Sequence, residues 1–258
     1  MDTLVTKMFR GKKLVGKKYM NKFVFDVDGT LTLSRRKIDA VFQRWFLEFC
    51  YDNNVYLVTG SDYPKTVEQV GTSIAENVKR VYNCNGNDVW EAGVNVRTNE
   101  WTLPKECFSW LEDKLEESSF NIRTGNHIEQ RPGMVNFSIV GRNATQEERK
   151  AYVIYETDHN ERRHISDLFN EHFPNLQATV GGETGIDISP RGANKAQILA
   201  DFDQDDNILF FGDAMFEGGN DEPLANAIET RKNFNKSYPV TNWKYTREIL
   251  LAYTTNRT

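Results

Sequence analysis

Phe23-Val24-Phe25-Asp26-Val27-Asp28-Gly29-Thr30-Leu31-Thr32 is the stretch on which the reading of the fold turns. Its apolar, β-branched and aromatic run predicts a buried strand. The strand ends in two aspartates two positions apart, followed at once by a glycine. Desolvating carboxylates is costly, so a pair of them at a strand end needs a partner. A hard cation is the usual one, at the carboxyl end of a parallel strand, where α/β sheets bind ligands. Aspartate and glycine are also ordinary turn residues. The choice between a ligand site and a plain turn rests on what the rest of the chain supplies.

Working outward, residues 38–50 carry apolar side chains at helical spacing. Residues 55–58 predict a second buried strand, closed by Thr59-Gly60-Ser61-Asp62, and Pro64 suits the first turn of a following helix. Residues 80–84 read as a third strand. A helix is predicted over 194–200, and the most apolar strand of the chain, 207–211, ends in Gly212-Asp213. Helices at 224–228 and from 243 onward, with a short piece at 238–240, complete the pattern. Tightly spaced β–α units predict an α/β fold, a doubly wound, Rossmann-like parallel sheet formed by residues 21–86 and 191–258. Between 87 and 190 the rhythm changes. Strand-like pieces near 87–103, 127–140 and 177–189 alternate with helices at 104–117, from the capping box Thr145-Gln146-Glu147-Glu148, and up to Pro174. That grouping predicts an inserted α+β domain over 87–190.

With 32 basic against 37 acidic residues in 258, nothing global points to nucleic acid. The three cysteines, Cys50, Cys84 and Cys107, have neither disulfide nor metal-ligand spacing, which predicts reduced thiols and a cytoplasmic protein. No apolar run is long enough to cross a bilayer. Residues 1–20 are rich in lysine and arginine but lack the apolar stretch of a signal peptide, so a solvated basic extension is expected. The four histidines, His127, His159, His164 and His172, fall away from the carboxylates and are given no chemistry.

Three strands thus end in polar groups: Asp26 and Asp28, Thr59 and Ser61, and Asp213. Neighbouring parallel strands finish side by side, so these groups can meet in one crevice. Lys195, near a predicted helix start, and Asn220-Asp221, behind Gly218-Gly219, join them. Carboxylates for a cation, with hydroxyls and a lysine for an anion, suit phosphoryl transfer.

In their order and spacing, Asp26-Val27-Asp28-Gly29-Thr30, Thr59-Gly60-Ser61, Lys195 and Gly212-Asp213 with Gly218-Gly219-Asn220-Asp221 resemble the four motifs of haloacid dehalogenase-type phosphotransferases. The inserted region is similar to the larger, type IIB cap of that superfamily. With Gly133-Met134-Val135-Asn136, Gly141-Arg142 and Gln146-Glu147-Glu148-Arg149 added, the chain from Lys22 onward resembles the eukaryotic-type phosphomannomutase family.

The resemblance implies interconversion of mannose 6-phosphate and mannose 1-phosphate through an aspartyl phosphate. A hexose 1,6-bisphosphate would serve as activator, and the product would feed nucleotide-sugar synthesis. Asp26 would be the nucleophile and Asp28 the general acid/base. Mg2+ would be held by Asp26, the backbone carbonyl of Asp28 and Asp213, with Asn220 and Asp221 at its edge. Thr59, Ser61 and Lys195 would hold the transferring phosphoryl group. Arg35, Arg131, Arg142 and Arg149 would grip the other phosphate, and Asp187 the sugar hydroxyls. Gly185 stands where the family carries a phosphate-binding serine, and Pro132 and Ile139 also depart from its pattern. The resemblance further implies a homodimer through the cap. Two other readings share the motifs: a sugar-phosphate phosphatase with a repurposed cap, and a non-catalytic sugar-phosphate-binding protein.

Overall fold

The computed structural model describes residues 21–255; the expected basic extension over 1–20 lies outside them. The opening stretch forms strand β1 (Asn21–Phe25), an interior strand, third from one edge of a seven-stranded sheet. β2 (Asn54–Val58) and β3 (Arg80–Asn83) follow on one side, and β10 (Asn207–Gly212) and β11 (Lys236–Pro239) on the other. All five strands are parallel, with Phe25 level with Phe211 and with Leu57. The chain leaves β1 towards β2 and returns beside it as β10, so the strand order reverses there. The carboxyl ends of such strands open a crevice.

Alternation along the strands divides the core between the two faces. Phe23, Phe25, Val55, Leu57, Leu209 and Phe211 bury one face under helices α1 (Ala40–Asp52), α2 (Tyr63–Val70) and α3 (Thr72–Asn77). Val24, Val58, Tyr82, Ile208 and Phe210 bury the other, under α7 (Glu222–Glu229) and the helix that follows Asn194. The last helix, α8 (Trp243–Thr255), places Leu250 in the first of these cores. Pro64 stands in the first turn of α2, as expected.

The second sheet has the order β6-β7-β9-β8, from strands Ile128–Arg131, Met134–Phe137, Gly185–Pro190 and Leu176–Gly181. It is antiparallel throughout. Helices α4 (Lys105–Glu117), α5 (Gln146–His159) and α6 (Glu161–His172) cover it. Leu111, Phe137, Tyr152, Phe169 and Ile188 form its own apolar core.

Two expectations need correction. β4 (Asp88–Glu91) and β5 (Val94–Thr98) were expected with the inserted domain; instead they extend the large sheet, β4 pairing antiparallel with β3 and β5 with β4. The tight turn after β3 folds the chain back beside its own strand, and alternation alone does not say which sheet a hairpin joins. The helix expected at 194–200 is a 3-10 helix over Lys195–Asp201, capped by Asn194. Seven residues span too few turns for spacing to separate repeats of 3.0 and 3.6.

Candidate active site

The carboxyl ends of β1 and β10 and the loop after β2 meet the rim of the second sheet at one cleft. It is lined by Asp26, Asp28, Arg35, Ser61, Arg131, Arg142, Arg149, Gly185, Asp187, Asp213 and Asn220, all expected site residues. Asn136, Glu183 and Thr184 line it too.

Asp26 leaves β1 as the strand ends and is almost fully buried. Lys195, fully buried, reaches it from the 3-10 helix, its Nζ donating to Asp26 Oδ1 and Asp221 Oδ1, each at 2.7 Å. Asp221 is completed by the Ala214 amide, which donates to Oδ2 at 3.0 Å. Burial disfavours an ammonium, yet the two carboxylates hold the Lys195 pKa above its ordinary value. Burial pushes the Asp26 carboxyl well above the usual range, against the opposing pull of Lys195. Asp213 is exposed towards the cleft but hemmed in by protein; that desolvation, and next the Asp221 charge, push its carboxyl up to about 7.

Oxygens of Asp26, Asp213 and Asp221 lie within 4.8 Å of one another. Three carboxylates share a single ammonium, and burial together with the neighbouring carboxylate charges raises Asp26 and Asp213. An all-oxygen set of this kind fits a hard divalent cation such as Mg2+. Glycine at 29 belongs to this geometry: its φ is +74°, and an added Cβ would lie 2.0 Å from Asp213 Oδ2. No other residue lets the two strand ends approach so closely.

Asp28 Oδ1 accepts from the Arg35 amide at 2.6 Å and from Gln69 Nε2 at 2.9 Å. Arg35 itself adopts φ of +54°, a strained conformation for a residue with a side chain. Gln69, 1% exposed, comes from α2, which no motif marks, and sequence reasoning missed it. Its sequence signal is no more than a polar residue on the sheet-facing side of that helix.

The four arginines do different things. Arg131 donates to Glu129 through Nε, at 2.8 Å, and Nη2, and its Nη1 reaches the Gly60 carbonyl at 2.6 Å across to the large sheet. Arg142 Nε shares the same Glu129 oxygen at 2.9 Å. These two guanidinium groups hold the Glu129 carboxyl low despite its partial burial. Burial, followed by the charges of Arg131 and Arg35, lowers Arg142 to about 10. Arg149, one residue past the capping box, is buried and meets Glu183 through Nη2 alone, while its Nε and Nη1 have no partner. Arg35 Nη1 is likewise buried and unpartnered. Glu129 was also missed, because a lone carboxylate in a strand carries no motif.

Two expected residues are already engaged. Thr59 Oγ1 accepts from the Ser61 amide at 3.1 Å and so shapes the loop; unlike Ser61, it is not among the residues lining the cleft. Asp187 accepts from Asn136 at 2.7 Å, and from Asn85 and Asn220 at 3.4 and 3.2 Å. Asn220 thereby turns its amide towards the second sheet. Edge strand β8 also meets the loop after β10 through the backbone: the Val180 amide donates to the Gly218 carbonyl at 3.0 Å, and the Asn220 amide to the Val180 carbonyl at 3.1 Å.

The model of the eukaryotic phosphomannomutases matches residues 44–250. The chain is 32% identical over 238 residues to the phosphomannomutase of Spinacia oleracea, covering 89% of this chain and 95% of that protein. It is 33% identical over 210 residues to that of Galdieria sulphuraria, covering 77% and 82%. Among solved structures, the C-terminal domain of Candida albicans trehalose-6-phosphate phosphatase superposes with a TM-score of 0.59 at 16% identity, covering 91% of this chain and 92% of that one. A haloacid dehalogenase-like hydrolase from Bacteroides thetaiotaomicron gives 0.51 at 16% identity, covering 92% and 99%. The two structures share the fold, whereas the family match over 44–250 takes in Ser61, Lys195 and Asp213 from one wall and Arg131, Arg142 and Arg149 from the other: the chain belongs to the eukaryotic phosphomannomutase family.

Proposed function

We propose that this protein interconverts mannose 6-phosphate and mannose 1-phosphate, with Mg2+ bound at Asp26, Asp213 and the Asp28 carbonyl. The observation that carries the reading is the pairing, in one cleft, of two strand-end carboxylates with four arginines. A monophosphate hydrolase needs only the first wall. A mutase handles a bisphosphate, and forked guanidinium groups suit the end that is not reacting.

Each carboxylate has one oxygen committed and one left for chemistry. Lys195 occupies Asp26 Oδ1, leaving Oδ2 to attack phosphorus. The Arg35 amide and Gln69 occupy Asp28 Oδ1, leaving Oδ2 to move a proton on the sugar oxygen. In one half-reaction Asp28 takes the proton of a sugar hydroxyl as that oxygen attacks the phosphorus of the Asp26 phosphate. The Asp26–phosphorus bond breaks, and a hexose 1,6-bisphosphate forms. In the other, with the sugar reversed, Asp26 attacks the second phosphate and Asp28 returns the proton to the departing oxygen. Bound Mg2+ supplies charge neutralisation at the transferring phosphoryl group. Ser61 and Lys195 flank that group, and Arg131, Arg142, Arg149 and Arg35 face the far phosphate.

The reading extends to a cytoplasmic enzyme, supported by three buried free cysteines, and to a homodimer through the smaller unit. Apolar side chains exposed on α4 and α5, Phe108 and Ile154, support the dimer. Among the described residues no helix is long and apolar enough to cross a membrane.

The test is incubation with mannose 1-phosphate, Mg2+ and a trace of glucose 1,6-bisphosphate, following mannose 6-phosphate and free phosphate together. Isomer without stoichiometric phosphate is the expected result, and Asp26→Asn abolishes it. Phosphate release alone identifies a hydrolase, and neither product identifies a binding protein.

A further inference from the structure

We infer that the Thr184 hydroxyl is a ligand for the phosphate that is not being transferred, a deepening that rests on the mutase reading of this cleft. Thr184 is 1% exposed, lines the cleft, and has a buried Oγ1 with no hydrogen-bond partner. A buried hydroxyl left unpaired costs folding free energy, so one that persists needs an explanation. Its surroundings provide one. Arg149 Nε, Arg149 Nη1 and Arg35 Nη1, on residues lining the same cleft, are buried and unpartnered too. Each of these is a donor, and the hydroxyl can act as one. Asn136 Oδ1, an acceptor, is unpartnered there too, but three guanidinium nitrogens and a hydroxyl outnumber it. Their complement is a group rich in acceptors such as a phosphate, which presents three such oxygens.

The neighbouring residue explains why the hydroxyl stands at 184. A Cβ on Gly185 would lie 2.6 Å from Asn136 Nδ2, the amide that holds Asp187. Position 185 has no room for a side chain while Asn136 keeps that bond. Thr184 supplies the one hydroxyl of the turn Gly181-Gly182-Glu183-Thr184-Gly185. Glu183, exposed beside it, takes only Nη2 of Arg149 and leaves the other two nitrogens without a partner.

Thr184→Val keeps the shape and removes the hydroxyl; Thr184→Ser keeps the hydroxyl. Both are compared with the parent in the Asp26→Asn background, which blocks transfer, at saturating Mg2+. The probes are glucose 1,6-bisphosphate, by calorimetry, and 4-nitrophenyl phosphate, which lacks a second phosphate, as a competing ligand. The valine variant is expected to bind the bisphosphate about tenfold more weakly or worse, the size of a lost hydrogen bond to a charged group. The serine variant stays within about threefold of the parent, and the aryl phosphate is unaffected. Without ligand, the valine variant melts at or above the parent temperature, since it sheds an unpaired buried group. Bisphosphate affinity unchanged in the valine variant overturns the role of Thr184 alone, as does an equal loss of both ligands with a lowered Tm. A parent that binds no bisphosphate overturns the mutase reading and this inference with it.

Discussion

At the floor of the cleft three carboxylates, Asp26, Asp213 and Asp221, face the single ammonium of Lys195. That imbalance has a sign that pH can read. Between the ordinary carboxylate value, near 3.9, and the raised Asp213 value of about 7, the folded protein holds a proton that the unfolded chain has released. Stability of the metal-free protein therefore falls as pH rises through this window. On the proposed site Mg2+ takes the place of that proton, so its stabilising effect is expected to grow over the same range. Melting curves with EDTA and with Mg2+ at pH 5.5 and 8 check this: the metal-free Tm is lower at pH 8, and the Mg2+ increment is larger there. A flat metal-free profile argues against the shift. Asp26, Asp28 and Asp213 were legible in the sequence because strand ends advertise themselves by the apolar run before them. Gln69 and Thr184 were not. Gln69 acts through Asp28, distant in sequence, Thr184 is a single unpartnered hydroxyl in a glycine-rich turn, and neither residue type is unusual where it stands.

The element that aims Arg149 is α5, whose start is a full capping box. Thr145 Oγ1 accepts from the Glu148 amide at 3.2 Å, and Glu148 accepts from the Thr145 amide at 2.7 Å. Thr145→Ala is expected to cost about 1 kcal/mol, which lowers Tm by about 2–4 °C in a chain of this size. Because Arg149, proposed to face the far phosphate, is the next residue, fraying is also expected to weaken substrate binding, read as a raised KM with kcat nearly unchanged. A Tm loss with no change in KM detaches the cap from the site. This box was legible because its donors and acceptors lie within four residues. The 3-10 character of Lys195–Asp201 was not, since it depends on what anchors that segment: Lys195 to two aspartates and Gln197 Nε2 to the Asn85 carbonyl, at 2.8 Å. The β4–β5 hairpin was misassigned for a related reason, as alternation records a buried face and not which sheet provides it.

Across the whole molecule two separately cored units enclose the cleft, and neither holds a complete site. The proposed nucleophile and cation ligands come from the seven-stranded sheet; three of the four arginines come from the smaller unit. Hydrogen-bonded contacts between the units include Arg131 to the Gly60 carbonyl, Asn85 and Asn220 to Asp187, Arg163 to Glu217, and the peptide groups of Val180, Gly218 and Asn220. Such a seam opens at low cost. Bisphosphate binding is therefore expected to slow hydrogen exchange at the Val180 and Asn220 amides while leaving the β1 amides unchanged. Equal exchange with and without ligand identifies a seam that does not move.

Part of that seam consists of peptide groups, with β8 lending its free edge to a loop of the other unit. Coding changes replace side chains and leave the main chain in place, so almost no point mutation erases this hinge contact. Proline at 180 or 220 is the exception, because it removes the donor. Lineages are thus free to reshape both walls of the cleft, and with them the choice of sugar, without having to reinvent the clasp.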